Sequence, residues 1–313
     1  MLATDIVIVT ANTRDVVLEC LAQLDGDPIE RVTVVDNASN DGTQYAVARR
    51  FPQVDVARLD EGVGYAAACN AGARRGAAEL LLVLNSDVVA THGAIATLVA
   101  ALEERPGAVA AGGRLVDPGT DETQVRYAPK RFPGAWALAV KVSGLEAIWP
   151  GNPWTRAAAG GAGEGRDTVG VDQPAGACLL IRRADFAAIG GFDERFWFWY
   201  EDVDLARRLS ERGELLYVPS AAFEHLGGRS FEQWDEERSL RSLLHGIVRY
   251  AEAHHSRAQR VALGMVLAMT GGARSLLFGL TSDPRAGLYR DAARAGRALV
   301  RGRRAPDLAA GPG

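Results

Sequence analysis

Lysine is nearly missing from this chain of 313 residues: Lys130 and Lys141 are the only two, so arginine carries almost all the positive charge. Cysteine is also sparse. Cys20, Cys69 and Cys178 lie far apart in apolar settings with no CxxC, which excludes a disulfide framework and suits small buried hydrophobes in a reducing compartment. Positive charge is not in excess; a net charge of -4 argues against wholesale nucleic-acid binding. No signal peptide opens the chain, since Met1 to Asp5 leads straight into a short strand, and the expected location is cytoplasmic. GxGxxG is absent. Gly62-Val63-Gly64 has the wrong spacing, and no acidic residue follows a second strand as a dinucleotide site requires, which excludes a dehydrogenase. Thr10 to Asp15, directly after the first strand, has no glycine, whereas a sugar nucleotidyltransferase needs a Gly-rich, Arg-containing loop there to hold a triphosphate. Val261 to Leu280 is mostly apolar but is interrupted by Thr270, Gly271, Gly272, Arg274 and Ser275, too broken for a plain transmembrane span.

Hydrophobic residues make up 48% of the chain, enough for one large α/β core or two modest ones. The stretch Glu79 to Asp87, ELLLVLNSD, reads as a strand buried on both faces that stops abruptly at Asn85-Ser86-Asp87. Strands are expected at 5–10, 31–35, 54–59, 79–85 and 108–116, with helices at 16–24, 43–50, 65–76 and 91–104. This alternation predicts an α/β fold with a doubly wound, mostly parallel sheet flanked by helices. From Asp117 to Asp172 the periodicity is lost, and a Gly-rich mobile loop is expected over 155–170. Order returns with strands at 178–182 and 215–218 and a helix between them. The expected division is a catalytic domain over 1–230, in halves 1–116 and 117–230, and a helical tail over 231–313. From Arg249 to Gly313 there are 11 Arg against 4 acids, a balance of +7. That suits helices lying on an anionic membrane surface, or a packed appendage with a solvated basic face.

Acidic and imidazole groups stand at the ends of the expected strands. In open α/β sheets that edge binds ligands. Asp36 either accepts hydrogen bonds from a base or ribose or builds its own loop as an Asx-turn. Asp87 and Asn85 offer hard oxygen ligands for Mg²⁺ or Mn²⁺, which would neutralise a departing diphosphate; the alternative for Asp87 is a turn or N-cap residue. His225 is a further candidate ligand or a structural histidine. Glu201 and Asp202 follow the aromatic run Phe196 to Tyr200, whose low dielectric can raise a carboxylate pKa and poise a base. Otherwise they are simply the first turn of a helix, favoured by its dipole. Arg229 either clamps a diphosphate or decorates a loop.

Several motifs occur in a telling order. They are Val34-Val35-Asp36-Asn37-Ala38-Ser39 with Asp41-Gly42-Thr43, Gly64-Tyr65-Ala66 with Asn70-Ala71-Gly72, and Leu84-Asn85-Ser86-Asp87. Gly176-Ala177-Cys178, Gly190-Gly191-Phe192-Asp193-Glu194, Glu201-Asp202-Val203-Asp204 and His225 follow. Over about residues 5–230 the chain resembles the inverting family 2 glycosyltransferases. That resemblance implies a GT-A fold, a nucleotide-sugar donor and a divalent metal. It assigns Asp36 to the nucleobase, Asp87 to the metal and Asp202 to the base that deprotonates the acceptor, and His225 matches a metal ligand of some members. On the donor side it implies Thr10, Gly64, Asn70, Ser86 and Arg229; on the acceptor side it implies Gly176, Trp199 and Glu201. The family's metal motif is often Asp-x-Asp, and Asn85 stands at its first position here, as in the rhamnosyl-transferring branch.

Ile148 to Thr155, IWPGNPWT, and the Arg-rich tail are similar to actinobacterial members that move rhamnose from dTDP-rhamnose to polyprenyl-diphosphate-linked GlcNAc. The implied partners are that donor, a lipid-linked glycan acceptor and an anionic membrane surface, with a homo-oligomer left open. The implied place is the inner face of the cell membrane, as a peripheral protein. Competing readings are another donor such as UDP-galactofuranose or UDP-GlcNAc, a soluble acceptor, or a degenerate nucleotide-binding scaffold.

Overall fold

The computed structural model describes residues 1–24, 28–159, 165, 167–227 and 235–309. In chain order the elements begin with β1 (Thr4–Thr10), α1 (Arg14–Ala22), β2 (Ile29–Asn37), α2 (Thr43–Arg50), β3 (Asp55–Leu59) and α3 (Tyr65–Ala73). Next come β4 (Leu80–Asn85), β5 (Val88–Ala90), α4 (Ala94–Glu104), β6 (Ala108–Val116), α5 (Ala135–Ser143), α6 (Leu145–Ile148) and α7 (Pro153–Ala158). The remainder is β7 (Val169–Gly170), β8 (Cys178–Arg182), α8 (Arg183–Ala188), α9 (Glu201–Ser210), β9 (Glu214–His225), α10 (Glu236–His254), α11 (Arg257–Leu280) and α12 (Arg285–Arg301).

Compactness divides the chain into two units. The first comprises Met1–Lys130, Gly160–Glu194 and Glu201–Gln233, and holds every strand. Its sheet runs β3-β2-β1-β4-β8-β6-β9-β5, with β7 added on β9. β3, β2, β1 and β4 are parallel, and β6 and β9 run the same way; β8, β5 and β7 are reversed. The sheet is therefore mixed but mostly parallel. The apolar run of β4 is buried end to end because the sheet is covered on both faces. Ile6, Ile8, Leu80, Leu82 and Leu84 share a core with Val17 and Leu21 of α1 and Ile95, Leu98 and Leu102 of α4. On the opposite face Val35 meets α3, where a Cβ added to Gly72 would lie 2.9 Å from Val35 Cγ2. Cys20, Cys69 and Cys178 are all buried, and burial pushes the Cys20 thiol up to about 12.

Two features depart from the expected strands. Residues 215–218 belong to the longer β9, whose pairing with β6 jumps from Val218 to Ala222 and leaves 219–221 outside the ladder. That bulge, begun at Pro219, carries the strand on to His225. Neither the three-residue β5 nor the two-residue β7 has an expected counterpart.

The second unit comprises Arg131–Ala159, Arg195–Tyr200 and Trp234–Gly313 and is helical. Much of the stretch where periodicity is lost is helical here, as α5, α6 and α7. Residues 155–158, expected to be mobile, form the end of α7, and Val169–Gly170 form β7. The rest of that expectation falls largely on 160–164 and 166, outside the described residues. Ser256 caps α11 through a capping box with Gln259, and Asn152 caps α7 through the Thr155 amide.

Candidate active site

Register places the expected site residues of the first unit along one sheet edge. Thr10 lies opposite Asp36, and Val9 lies opposite Asn85, so the ends of β1, β2 and β4 are side by side. The Thr10 hydroxyl is 2.8 Å from that of Thr13, which is 3.4 Å from Ser86 Oγ. Asp36 is fully buried: the Ser39 amide donates to Oδ1 at 2.9 Å and Arg58 donates to Oδ2 at 3.1 Å. The loop-building contact of Asp36 is therefore made, and both of its carboxylate oxygens are engaged. Ser39 Oγ also accepts the Asn12 amide, and Asn12 Oδ1 accepts the Asn40 amide, which ties the loops after β1 and β2 together.

Asn85 Oδ1 accepts the Tyr65 hydroxyl at 2.7 Å, so its oxygen is already engaged. Asp87 is buried, and its carboxylate lies 3.7 Å from His225 Nε2. The short strand β5 brings them together. β5 starts at Val88 and pairs antiparallel with the end of β9, placing Val88 opposite His225.

Gln124 fixes the histidine ring. Its Nε2 donates to Asp117 Oδ1 at 2.8 Å and to the His225 carbonyl at 2.9 Å, both obligate acceptors. The amide orientation follows, so Oε1 faces His225 Nδ1 at 2.8 Å and Nδ1 carries the proton. The lone pair of the neutral ring is then on Nε2, toward Asp87. Burial lowers the His225 pKa; Asp87 opposes this and Arg126 adds to it. Tyr127 packs edge-on at 4.6 Å. Among the described residues no group of three or more His, Cys, Asp and Glu is placed to hold a metal. One carboxylate and one neutral imidazole nevertheless fit a hard cation that completes its shell with phosphate oxygens and water.

Glu201 and Asp202 open α9. Burial raises the Asp202 pKa, while the Val203 amide, donating to Oδ1 at 2.8 Å, and the charge of Lys130 oppose the rise. Glu201 is buried with Oε2 unpartnered, and burial followed by the Asp202 charge pushes it up to about 8. The two carboxyls are neighbours, so ionising one disfavours ionising the other. Gly176 packs directly on Asp202: a Cβ there would lie 2.5 Å from both Cβ and Oδ2 of that residue. Only hydrogen fits.

Asn70 is committed elsewhere. Its Nδ2 donates to the Phe192 carbonyl at 2.9 Å and Glu194 Oε1 at 3.0 Å, and its Oδ1 accepts the Phe192 amide at 2.9 Å. It clamps α3 to the 190–194 turn. Gly64 caps α3 with extended backbone. Trp199 belongs to the helical unit, where it and Tyr200 adopt left-handed backbone, φ +69° and +71°. Such strain in bulky residues needs firm support. Within that unit α10 supplies it: Ser242 donates to the Phe198 carbonyl at 2.9 Å, and His245 Nε2 meets the Arg195 carbonyl at 2.8 Å. Arg229 lies outside the described residues. Nothing in the local sequence marks Arg58 or Gln124 for these contacts; the scarcity of lysine is the one signal for Lys130, and Tyr65 lies in the Gly64-Tyr65-Ala66 motif.

A mixed, mostly parallel sheet with acids gathered at its strand ends and flanking helices is the GT-A class of fold. Residues 5–151 match the profile of Glycosyl transferase family 2, and residues 169–227 that of the N-terminal domain of galactosyltransferase. The match to glycosyl transferase family 2 covers just under half of the chain. The chain is similar to an N-acetylglucosaminyl-diphospho-decaprenol L-rhamnosyltransferase of Mycobacterium tuberculosis, 36% identical over 207 residues, which cover 62% of this chain and 66% of that protein. It also resembles the rhamnosyltransferase WbbL of Escherichia coli, 44% identical over 69 residues, 21% of this chain and 26% of that one. Among solved structures, the mannosyltransferase PcManGT of Pyrobaculum calidifontis, in complex with GDP-Man and Mn²⁺, shares the fold. The TM-score is 0.52 at 18% identity, over 96% of this chain and 85% of that one.

Proposed function

We propose that this protein is an inverting hexosyltransferase that moves L-rhamnose from dTDP-rhamnose to a hydroxyl of a polyprenyl-diphosphate-linked GlcNAc. Asp202 is the base, and Asp87 with His225 would hold Mg²⁺ or Mn²⁺. One observation carries this reading: Asp202, packed on Gly176 at the start of α9, belongs to the same domain in which Asp87 and His225 converge to 3.7 Å. The relatives named for rhamnosyl transfer support the choice of sugar.

The acceptor oxygen attacks the anomeric carbon from the face opposite the diphosphate. Its proton passes to Asp202 as the bond to the diphosphate breaks, and the leaving nucleoside diphosphate keeps the electron pair. A positioned base of this kind contributes about 10²- to 10⁴-fold. Gly176 leaves Asp202 its place, and burial favours the protonated form of Glu201 beside it. A bound divalent cation would offset charge on the diphosphate. On the donor side, Asp36 and the loops tied to it are offered to the nucleobase, and Thr10 and Ser86 supply hydroxyls. A polyprenyl acceptor keeps the reaction at a lipid surface, so the protein is placed as peripheral on the inner face of the cell membrane.

The test is a thermal-shift and hydrolysis screen with dTDP-rhamnose, UDP-GlcNAc, UDP-galactofuranose and GDP-mannose, each with and without Mn²⁺ or Mg²⁺. Ligand bound to the native state raises the melting temperature by mass action. A metal-dependent rise with dTDP-rhamnose alone is the expected result. A rise with another sugar nucleotide would keep the reaction and replace the donor. No response to any donor with metal present would overturn the enzyme reading in favour of a scaffold.

A further inference from the structure

α11 has an outward face that a water-soluble helix does not need. Leu263, Gly264, Leu267 and Gly271 are buried on its inner side. The opposite side presents Met265, Met269, Ala273, Leu276 and Leu280 at helical spacing, with Leu277 beside them. Met269 is 73% exposed, Leu276 74% and Leu280 85%. No charged side chain interrupts that stripe. Its nearest candidate, Arg274, turns away and donates to the Val142 and Ser143 carbonyls of α5 at 3.1 and 2.7 Å. An exposed apolar stripe of this kind marks an interaction surface.

α12 lies antiparallel against the inner side of α11. A Cβ on Gly264 would fall 2.6 Å from the Gly296 carbonyl oxygen, Ser275 donates to the Ala286 carbonyl at 3.0 Å, and Phe278 stacks on Tyr289 at 5.4 Å. α12 exposes the basic row Arg290, Arg294, Arg297 and Arg301, spaced so that all four share one helix face. The two rows adjoin, for Met265 and Met269 line one shallow depression together with Arg297 and Arg301.

We infer that the α11–α12 hairpin is a docking surface for an anionic phospholipid bilayer, with the Met265–Leu280 stripe entering the acyl boundary and the arginine row meeting the headgroups. By length and composition α11 could cross a membrane. Its close glycine contacts with α12 argue instead for lying flat, because a spanning α11 would either carry that arginine row into hydrocarbon or strip the hairpin apart. The arginine row selects lipid over a second copy of the chain, since two such rows brought together would repel. The inference deepens the lipid-acceptor reading and rests on it for purpose, while its evidence is the hairpin's own surface.

The experiment is vesicle flotation of the full chain with phosphatidylcholine alone and with added phosphatidylglycerol, at low and high salt, alongside light scattering for mass and the donor thermal shift. The expected result is binding to the anionic vesicles that weakens with salt. Met269→Asp with Leu276→Asp should reduce it at least tenfold at either salt, and Arg297→Glu with Arg301→Glu should remove the preference for anionic lipid. Melting temperature and donor shift should be unchanged in both variants. Wild type that stays off anionic vesicles overturns the inference, as does a dimer that the Met269/Leu276 variant dissolves. Vesicle binding without any donor response would leave the surface standing and remove the transferase reading; a donor response without vesicle binding would do the reverse.

Discussion

Gln124 Oε1 lies 2.8 Å from His225 Nδ1, and that contact decides which nitrogen of the buried imidazole faces Asp87. An outer partner of this kind fixes tautomer and ring orientation, and its loss typically costs about 10- to 100-fold in metal affinity. Gln124→Leu should therefore weaken Mn²⁺ binding by about that factor in a calorimetric titration, with the far-ultraviolet spectrum unchanged. Equal affinity in the variant would mean that the ring needs no such support.

The contact of Gly176 with Asp202 is as restrictive. Alanine there brings a methyl to 2.5 Å from the carboxylate side chain, so Asp202 must move. A displacement on the order of 1 Å can cost about 10²-fold in rate. We expect Gly176→Ala to lose turnover on that scale while the donor-induced rise in melting temperature persists. Full turnover would remove Asp202 from the base role or show that the loop yields.

Asp202→Asn keeps the shape and removes the proton acceptor. Turnover should fall about 10²- to 10⁴-fold with donor affinity retained. The wild-type rate should rise with pH through an apparent pKa above the ordinary aspartate value, because burial raises this group and only its ionised form accepts a proton. A rate that is flat across the acidic range would contradict the assignment.

Glu201 gives a stability test with a definite sign. Its folded-state pKa is pushed up from 4.5 to about 8, so the stability associated with its protonated form is complete below 4.5 and is lost as pH rises through 8. Glu201→Gln has no such loss. Melting curves of the two proteins should diverge in favour of the variant as pH rises through that window, by at most about 1.4 kcal/mol per pH unit. Parallel curves would show that the carboxyl is ionised at no cost.

The first half of the sheet was legible because each of its elements declares itself locally. The apolar run of β4 and the turn-forming residues after β2 fixed strand ends to within two residues, and thus placed Asp36 and Asp87 at the sheet edge. β6 and β8 matched their expected bounds. Where pattern failed, the cause was equally local. β5 is three residues long, too short for any alternation, and α5 to α7 lie among glycine, proline and tryptophan that mask helical periodicity.

By itself the sequence determined the α/β class, the strand-end acids, the buried character of the cysteines and the basic balance of the last helices, because composition and period are properties of short windows. Tertiary structure decided what depends on distant residues meeting. It paired β5 with β9 and so set His225 beside Asp87, brought Gln124 across 101 positions to the imidazole, and set Gly176 against Asp202. It joined Arg131–Ala159 and Arg195–Tyr200 to the C-terminal helices, and turned one side of α11 outward. Windowed patterns show which side chains can be buried; which ones touch is settled only when the sheet order and the helix faces are chosen together.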